Sequence, residues 1–375
     1  MNILWILDKE FDVSLNVSAR LATLFYLEKE HVVTVVTSFR EEKKYSFGQK
    51  SKIVYLDTLN MPFLKTMSLY RSHLKYINDN ADLKEFDLIF INSNNFLLHK
   101  KLYRNKKHHN YKLVADIRSL PVEVNFIKKK ISHMLFKKAL KYAARYFDGI
   151  TYITDEIRNY CRIKYGLCNH KYAVWSSGVD TRFFKPQSHE GPNDPFRMIY
   201  HGKVAKNRGI HNIIKALVGL EGYNIEFNLL GSGKETHKLI DMAKKLNVED
   251  YVNFHELVPH REVPYFINKS DIGILPFPDL PGWNTSSPIK LFEYLACGKP
   301  VIVTRIPAHL SVLKEKRFAF WAENSSPERL REAILRSYEN RHLFCHMGEE
   351  ARKYVVHSFD WEVQLLKLRK FLVGL

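Results

Sequence analysis

Two α/β domains, each a parallel sheet built of βα units, are predicted from three observations. The chain has 375 residues, 45% of them hydrophobic, which is more than one core usually holds and enough to fill two. Short apolar runs alternate with amphipathic helical segments along its length, the rhythm of βα units. One stretch, Lys185 to Pro195, has linker composition, because Pro186, Gly191, Pro192 and Pro195 interrupt any regular element there.

Taken in order, the strand-like runs of the first half are Asn2–Leu7, Val32–Thr37, Leu88–Asn92, Leu113–Ala115 and Gly149–Ile153. Between the last two, Asn125 to Phe147 has helical spacing: Ile127, Ile131, Leu135, Phe136, Ala139 and Leu140 form an apolar stripe beside Lys128, Lys129, Lys130, Lys137, Lys138, Lys141 and Arg145. That pattern fits a helix lying on an anionic membrane, and equally a core-facing helix with a solvated lysine face. The runs of the second half are Met198–Tyr200, Ile225–Leu230 and Val301–Thr304. Before the last of them, Ser287 is expected to cap a helix with Pro288 in its first position, leaving the N–H groups of Ile289 and Lys290 to face an anion. Leu291, Phe292 and Leu295 then pack inward, Glu293 is placed to accept hydrogen bonds from sugar hydroxyls, and Gly298 ends the helix. The domains are therefore expected at 1–187 and 188–358, with a last helix over 359–375.

Composition narrows the function classes. No apolar run approaches the roughly 20 residues that span a bilayer, and Met1–Leu7 is too short, and too soon followed by Asp8, to be a signal peptide, so a cytoplasmic location is expected. The cysteines, Cys161, Cys168, Cys297 and Cys345, have no ligand-like spacing, so free thiols are expected and structural zinc is not. The net charge of +18 is uneven: residues 1–190 hold 32 of the 58 Lys and Arg but 19 of the 40 Asp and Glu. Lys100, Lys101, Arg104, Lys106 and Lys107 form a second basic cluster. No nucleic-acid motif or aromatic-basic platform accompanies this charge.

The motifs of the second half occur in a telling order: Tyr200-His-Gly-Lys-Val-Ala-Lys-Asn-Arg-Gly209, Leu229-Leu-Gly-Ser-Gly233, Val252-Asn-Phe-His-Glu-Leu-Val-Pro259, Ser270-Asp-Ile-Gly-Ile-Leu-Pro276 and Ser287 to Val303. In order and spacing they resemble the nucleotide-sugar half of the retaining glycosyltransferases of family 4. Trp175-Ser-Ser-Gly-Val-Asp180 is similar to the family's Asn-Gly-Val-Asp junction with Ser177 in place of Asn, and Val114 to Pro121 to its acceptor-facing strand end. The resemblance implies the GT-B fold, two Rossmann-like domains with parallel sheets facing across a cleft and the C-terminal helix crossing back to the N-terminal domain.

It also implies roles. Lys203 and Arg208 correspond to the family's phosphate-facing Arg and Lys with the side chains exchanged; two cations aimed at the leaving phosphate replace a metal, so no cofactor or metal is expected. Lys206 is a neighbour able to share the role. Gly202 and Gly231 fit a tight backbone path at the donor, and Leu257 holds the base through backbone atoms, although Glu256 replaces a common glycine. Glu293 matches the second of the family's paired glutamates, the one at the ribose. Thr285 stands where the first would be, so Thr285, Ser286, Ser287, Ile289 and Lys290 are expected to handle the donor sugar and phosphates. Arg118 stands where a histidine often lies near the transferred sugar; it binds an acidic acceptor or phosphate, or pairs structurally with Asp116. The glycine-rich loop after the first strand is missing, with Asp8-Lys-Glu-Phe-Asp12 in its place.

The expected activity is transfer of a sugar from a nucleoside-diphosphate donor to a glycan or lipid-linked acceptor in cell-surface polysaccharide synthesis, with peripheral contact to an anionic membrane as an open reading. A nucleotide-sugar epimerase or hydrolase, and a non-catalytic module for anionic surfaces or nucleic acid, are the alternatives.

Overall fold

The computed structural model describes residues 1–8, 17–38, 51–59, 61, 65–79, 83–121, 126–187 and 194–375. They fall into two compact units, Met1–Ser176 with Gln364–Leu375, and Ser177–Val363. Residues 9–12 of the glycine-free loop and residues 188–193 of the Pro- and Gly-containing switch lie outside the described residues.

The first unit is a seven-stranded parallel sheet of β1 (Asn2–Leu7), β2 (Val32–Ser38), β3 (Lys52–Leu56), β4 (Leu88–Asn92), β5 (Lys112–Ile117), β6 (Gly149–Tyr152) and β7 (Tyr172–Val174), in the order β3-β2-β1-β4-β5-β6-β7. Ile3 lies between Val33 and Leu88, which sets the central register. Around the sheet run α1 (Val17–Leu27), α2 (Lys65–Asp79), α3 (Phe96–Lys106), α4 (Phe126–Tyr146) and α5 (Asp155–Tyr165). Central strands bury both faces and therefore read as continuous apolar runs, whereas the edge strands β3 and β7 are half-buried and mixed in composition. The strand order reverses beside β1, so a crevice opens at the carboxyl ends of β1 and β4.

On α4, Phe136, Ala139, Leu140 and Ala143 are buried, while Lys130, Ile131, Met134, Leu135, Lys137, Lys138 and Lys141 are exposed. Phe136 is thus a core residue packed edge-on against Tyr165 at 5.8 Å, not part of an outer apolar stripe; at 3.6 residues per turn it shares its face with Ala139 and Leu140. The side chains of Ile127, Lys128 and Lys129 lie outside the described ones. Among the described residues no helix is long and apolar enough to cross a membrane. The four cysteines are free.

The second unit is a six-stranded parallel sheet, β8 (Phe196–His201), β9 (Ile225–Leu230), β10 (Val252–His255), β11 (Ile272–Leu275), β12 (Val301–Thr304) and β13 (Ala319–Ala322), in the order β10-β9-β8-β11-β12-β13. Its helices are α6 (Ile210–Leu217), α7 (Thr236–Lys245), α8 (Val263–Asn268), α9 (Pro281–Asn284), α10 (Ile289–Ala296), α11 (Pro307–Leu313), α12 (Pro327–Glu339) and α13 (Phe344–Phe359). Here the order reverses between β8 and β11, so the crevice lies outside His201 and Leu275. A final helix, α14 (Trp361–Val373), has its residues from Gln364 onward in the first unit. There Gln364 Oε1 accepts from the Ser176 N–H at 2.8 Å and Arg369 pairs with Glu30 at 2.9 Å.

Candidate functional site

The loops beyond β8 and β9 are laced together by backbone hydrogen bonds that continue the sheet past its strand ends: Gly202 N–H to Leu230 C=O at 2.7 Å, Val204 N–H to Ser232 C=O at 3.0 Å and Gly231 N–H to His255 C=O at 3.1 Å. The close approach requires glycine at Gly231 and at Gly233, where a Cβ would stand 1.9 Å from the Val204 carbonyl oxygen. Gly202 has φ +106° and Gly231 φ +142°, and a Cβ on Gly231 would stand 2.1 Å from the Gly202 carbonyl oxygen. A Cβ on Gly202 would instead meet the Lys290 side chain, 2.5 Å from Cε and 2.7 Å from Nζ, so the open face of Gly202 is the seat of that lysine.

Lys290 belongs to α10, whose first residue is Ile289. Pro288, with φ −79° and ψ 98°, takes the N-cap position and supplies no side-chain cap. Ser287 is thereby one residue too far out to cap the helix as its sequence suggests, and its Oγ accepts from the Ser177 N–H at 3.2 Å. Leu291, Phe292 and Leu295 are buried as expected, and so is Glu293, only 3% exposed. Its Oε1 accepts from His260 Nε2 at 3.0 Å, and its Oε2 lies 3.1 Å from His201 Nε2, off the line of a hydrogen bond. Burial pushes the Glu293 carboxyl up, but the two imidazoles beside it more than offset this and hold it far below the usual carboxylate range. Burial drives His201 down, which the neighbouring carboxylate partly opposes. Desolvation, followed by the charge on Arg208, brings the Lys290 amine down to about 8, with Glu293 opposing.

Arg208 is half-buried on the turn after β8. Its guanidinium lies 4.6 Å from the ring of Trp283 and 5.6 Å from that of Phe277, and the two rings stack at 4.5 Å. Trp283 is fixed in turn by its indole N–H, which donates to the Asn207 carbonyl at 2.6 Å. Lys203 and Lys206 are exposed on the same loop. Thr285 and Ser286 donate their hydroxyls to Pro281 C=O at 2.9 Å and Trp283 C=O at 2.8 Å, closing α9. Leu257 follows β10 and is 44% exposed. The structure therefore gathers Gly202, Arg208, Ile289, Lys290 and Glu293 at the β8–β11 crevice. It adds His201, His260 and Trp283, which no spacing in the sequence had marked.

In the first unit a second polar group surrounds the end of β5. Asp116 is buried; its Oδ1 accepts from Thr151 Oγ1 at 2.7 Å and from the Trp175 indole N–H at 3.2 Å. The Arg118 guanidinium lies 4.1 Å from the Trp175 ring and donates from Nη1 to the Trp175 carbonyl at 2.9 Å. Across the β1–β4 crevice, Asp8 Oδ2 accepts from the Asn94 N–H at 2.7 Å, and burial pushes this carboxyl up to about 6.

Residues 181–354 match the family model described as Glycosyl transferases group 1, and residues 21–183 match Glycosyltransferase Family 4. The putative colanic acid biosynthesis glycosyltransferase WcaL of Escherichia coli is 26% identical over 217 residues, covering 56% of this chain and 53% of that protein. The capsular polysaccharide biosynthesis glycosyltransferase CapM of Staphylococcus aureus is 25% identical over 188 residues, 49% and 48% of the two chains. The chain thus spans about half the length of these curated relatives. Among solved structures, sucrose-phosphate synthase from Thermosynechococcus elongatus is similar at TM-score 0.81 and 15% identity, over 100% of this chain and 98% of that one. Anabaena Alr3699/HepE in complex with UDP is similar at 0.73 and 16%, over 100% of both. At these identities the likeness shows the fold, which is GT-B.

Proposed function

The chain belongs to the group 1 glycosyl transferases of family 4, and on that premise we propose that it is a retaining glycosyltransferase moving a hexose-like sugar from a nucleoside diphosphate to a glycan or lipid-linked acceptor in polysaccharide synthesis. The observation that carries the reading is the convergence at one crevice of two cations, Arg208 and Lys290, with the α10 N-terminus and the buried Glu293 carboxylate. The bond broken joins the sugar to a phosphate oxygen, on which negative charge grows. Arg208, Lys290 and the free N–H groups at Ile289 stabilise that charge without a metal, with Lys203 at the rim. Glu293 takes the ribose: a carboxylate offers about four acceptor positions, and His260 occupies one of them. The incoming hydroxyl passes its proton toward the departing phosphate on the same face, so no side chain has to act as base. A neighbour of the same fold was solved with UDP-glucose, which supports a uridine diphosphate donor as the first to try.

On the acceptor side, the exposed Ile131, Met134 and Leu135 ringed by Lys130, Lys137, Lys138 and Lys141 are chemically matched to an anionic lipid surface, which supports work at the inner face of the cytoplasmic membrane.

The test is turnover of UDP-sugars in excess EDTA with and without a lipid-linked saccharide fraction, with the product anomer read by NMR. Transfer with retained configuration is expected. Release of free or epimerised sugar independent of acceptor, or activity that only magnesium or manganese restores, would overturn the reading.

A further inference from the structure

We propose that Arg118, held on its Trp175 platform, binds an oxyanion and that the acceptor is therefore an anionic saccharide carrying a carboxylate or a phosphate. An arginine kept only to neutralise Asp116 would close its fork on that carboxylate. The geometry is different: the nearest approach, Nε to Oδ2, is 4.0 Å, beyond hydrogen-bond length. The other oxygen of Asp116 is committed to Thr151 and to the indole of Trp175. The carboxylate thus fixes the tryptophan, and the tryptophan carries the arginine, through its ring face at 4.1 Å and its own carbonyl at 2.9 Å.

What remains is a flat, oriented guanidinium whose single hydrogen bond among the described residues is to Trp175. A guanidinium has five N–H donors in a planar fork, a geometry that matches a carboxylate or phosphate edge two-to-two. The Arg118 side chain is 18% exposed, so a solute can reach those donors while the rest of the group is desolvated, where a charge-assisted bond is strongest. A second cation is felt there: Arg20 is pushed down to about 10, first by burial and then by the charge on Arg118. Placement fits as well, since Arg118 directly follows β5, next to β4 in the sheet and so beside the crevice at the carboxyl ends of β1 and β4.

Calling the ligand an acceptor rests on the transferase reading; the oxyanion site itself does not. The experiment uses the full chain with 15N-labelled tryptophan, following the Trp175 indole N–H, assigned through Trp175→Phe. Glucuronate, inorganic phosphate and neutral glucose are titrated at matched ionic strength into wild type, Arg118→Gln and Arg118→Lys, and UDP affinity is measured in parallel. A saturable shift with glucuronate or phosphate and none with glucose is expected, with the stronger anion naming the group. Arg118→Gln should weaken it at least about tenfold, the low end for one hydrogen bond to a charged partner, and Arg118→Lys, which keeps the charge but not the fork, should fall between. UDP affinity, whose proposed ligands are residues of the second unit that share no partner with Arg118, should stay within about twofold in each variant. No saturable shift with either anion, an equal shift with glucose, or a shift that survives Arg118→Gln would overturn the oxyanion site. Loss of UDP binding in the wild type would strike the donor reading instead.

Discussion

Replacing Glu293 by Gln removes one charge from a fully enclosed position while keeping the side-chain volume. In the wild type, Oε1 accepts from His260 at 3.0 Å and Oε2 faces His201 at 3.1 Å. A glutamine keeps one acceptor oxygen in place of two and turns an amide N–H₂ toward the other partner, so it can still accept from His260 but offers a ribose diol fewer acceptor positions. Losing one charge-assisted bond costs about 1.5–3 kcal/mol, or about 10- to 150-fold in UDP affinity. Glu293→Ala is a poorer probe, because it also opens a cavity beneath His201. The folded protein should respond as well. Glu293 has its carboxyl far below the ordinary 4.5, so its contribution to stability is fully present above that pH and is lost as pH falls below it toward the folded-state value. The wild type should therefore exceed Glu293→Gln in unfolding free energy by a constant margin at neutral pH, and the margin should shrink below pH 4.5. Calorimetric titration with UDP at neutral pH, beside denaturant melts from acid to neutral, reads both quantities. Unchanged UDP affinity in a variant with a cooperative melt would refute the ribose assignment, and a pH-independent margin would refute the ionised, histidine-held carboxylate.

Three further outcomes are expected. Arg208→Ala and Lys290→Met should each lower turnover by about 10²–10³-fold, with a smaller loss of donor affinity, whereas exposed Lys203→Ala should lose less than either; equal losses at Lys203 would return the main cationic role to it. Because Lys290 sits near pKa 8, UDP affinity should fall as pH rises through that value and should flatten in Lys290→Met, so a profile unaltered by the substitution would exclude the amine as a phosphate ligand. Vesicles containing phosphatidylglycerol should float the wild type at low salt, less so at high salt where screening sets in beyond about 8 Å, and not the variant with Lys130, Lys137, Lys138 and Lys141 changed to Gln; wild-type indifference to anionic vesicles would leave α4 an ordinary surface helix.

The fold was legible where a strand is buried on both faces. β1, β2, β4 and β9 are apolar enough to stand out by composition, but β3 and β7 are edges with polar residues, and β13 is an edge strand of the second sheet with its middle residues only half-buried. The site was legible as far as local chemistry reaches. Gly202, Arg208, Lys290 and Glu293 were marked by the family resemblance of the motifs that hold them, and the structure places all four at one crevice. The histidines at Glu293 are different: they approach it from 92 and 33 residues away, and a lone histidine carries no signal of what it will face. The helix start slipped by one residue for a local reason, since Pro288 itself adopts the extended N-cap conformation that had been assigned to Ser287.

The family resemblance implies an exchange of Lys and Arg between positions 203 and 208, and the packing around each position offers a physical reason for it. A guanidinium is planar and weakly hydrated and gains from lying on an indole face; an ammonium is a compact, strongly hydrated point charge. Position 208 adjoins Trp283, itself stacked on Phe277 and tied to Asn207, so arginine is the cation that this wall orients. Position 203 is exposed and offers no such wall, so a lysine there loses little by comparison. The amine that reaches inward is Lys290, across the bare face of Gly202, where burial and the nearness of Arg208 already depress its pKa. Under the proposed function an incoming diphosphate offsets both effects on Lys290, because it places negative charge beside the amine. On the proposed donor reading the cation pair at the diphosphate is Arg208 with Lys290, and the bare face of Gly202 belongs to its geometry, since a side chain there would displace the lysine.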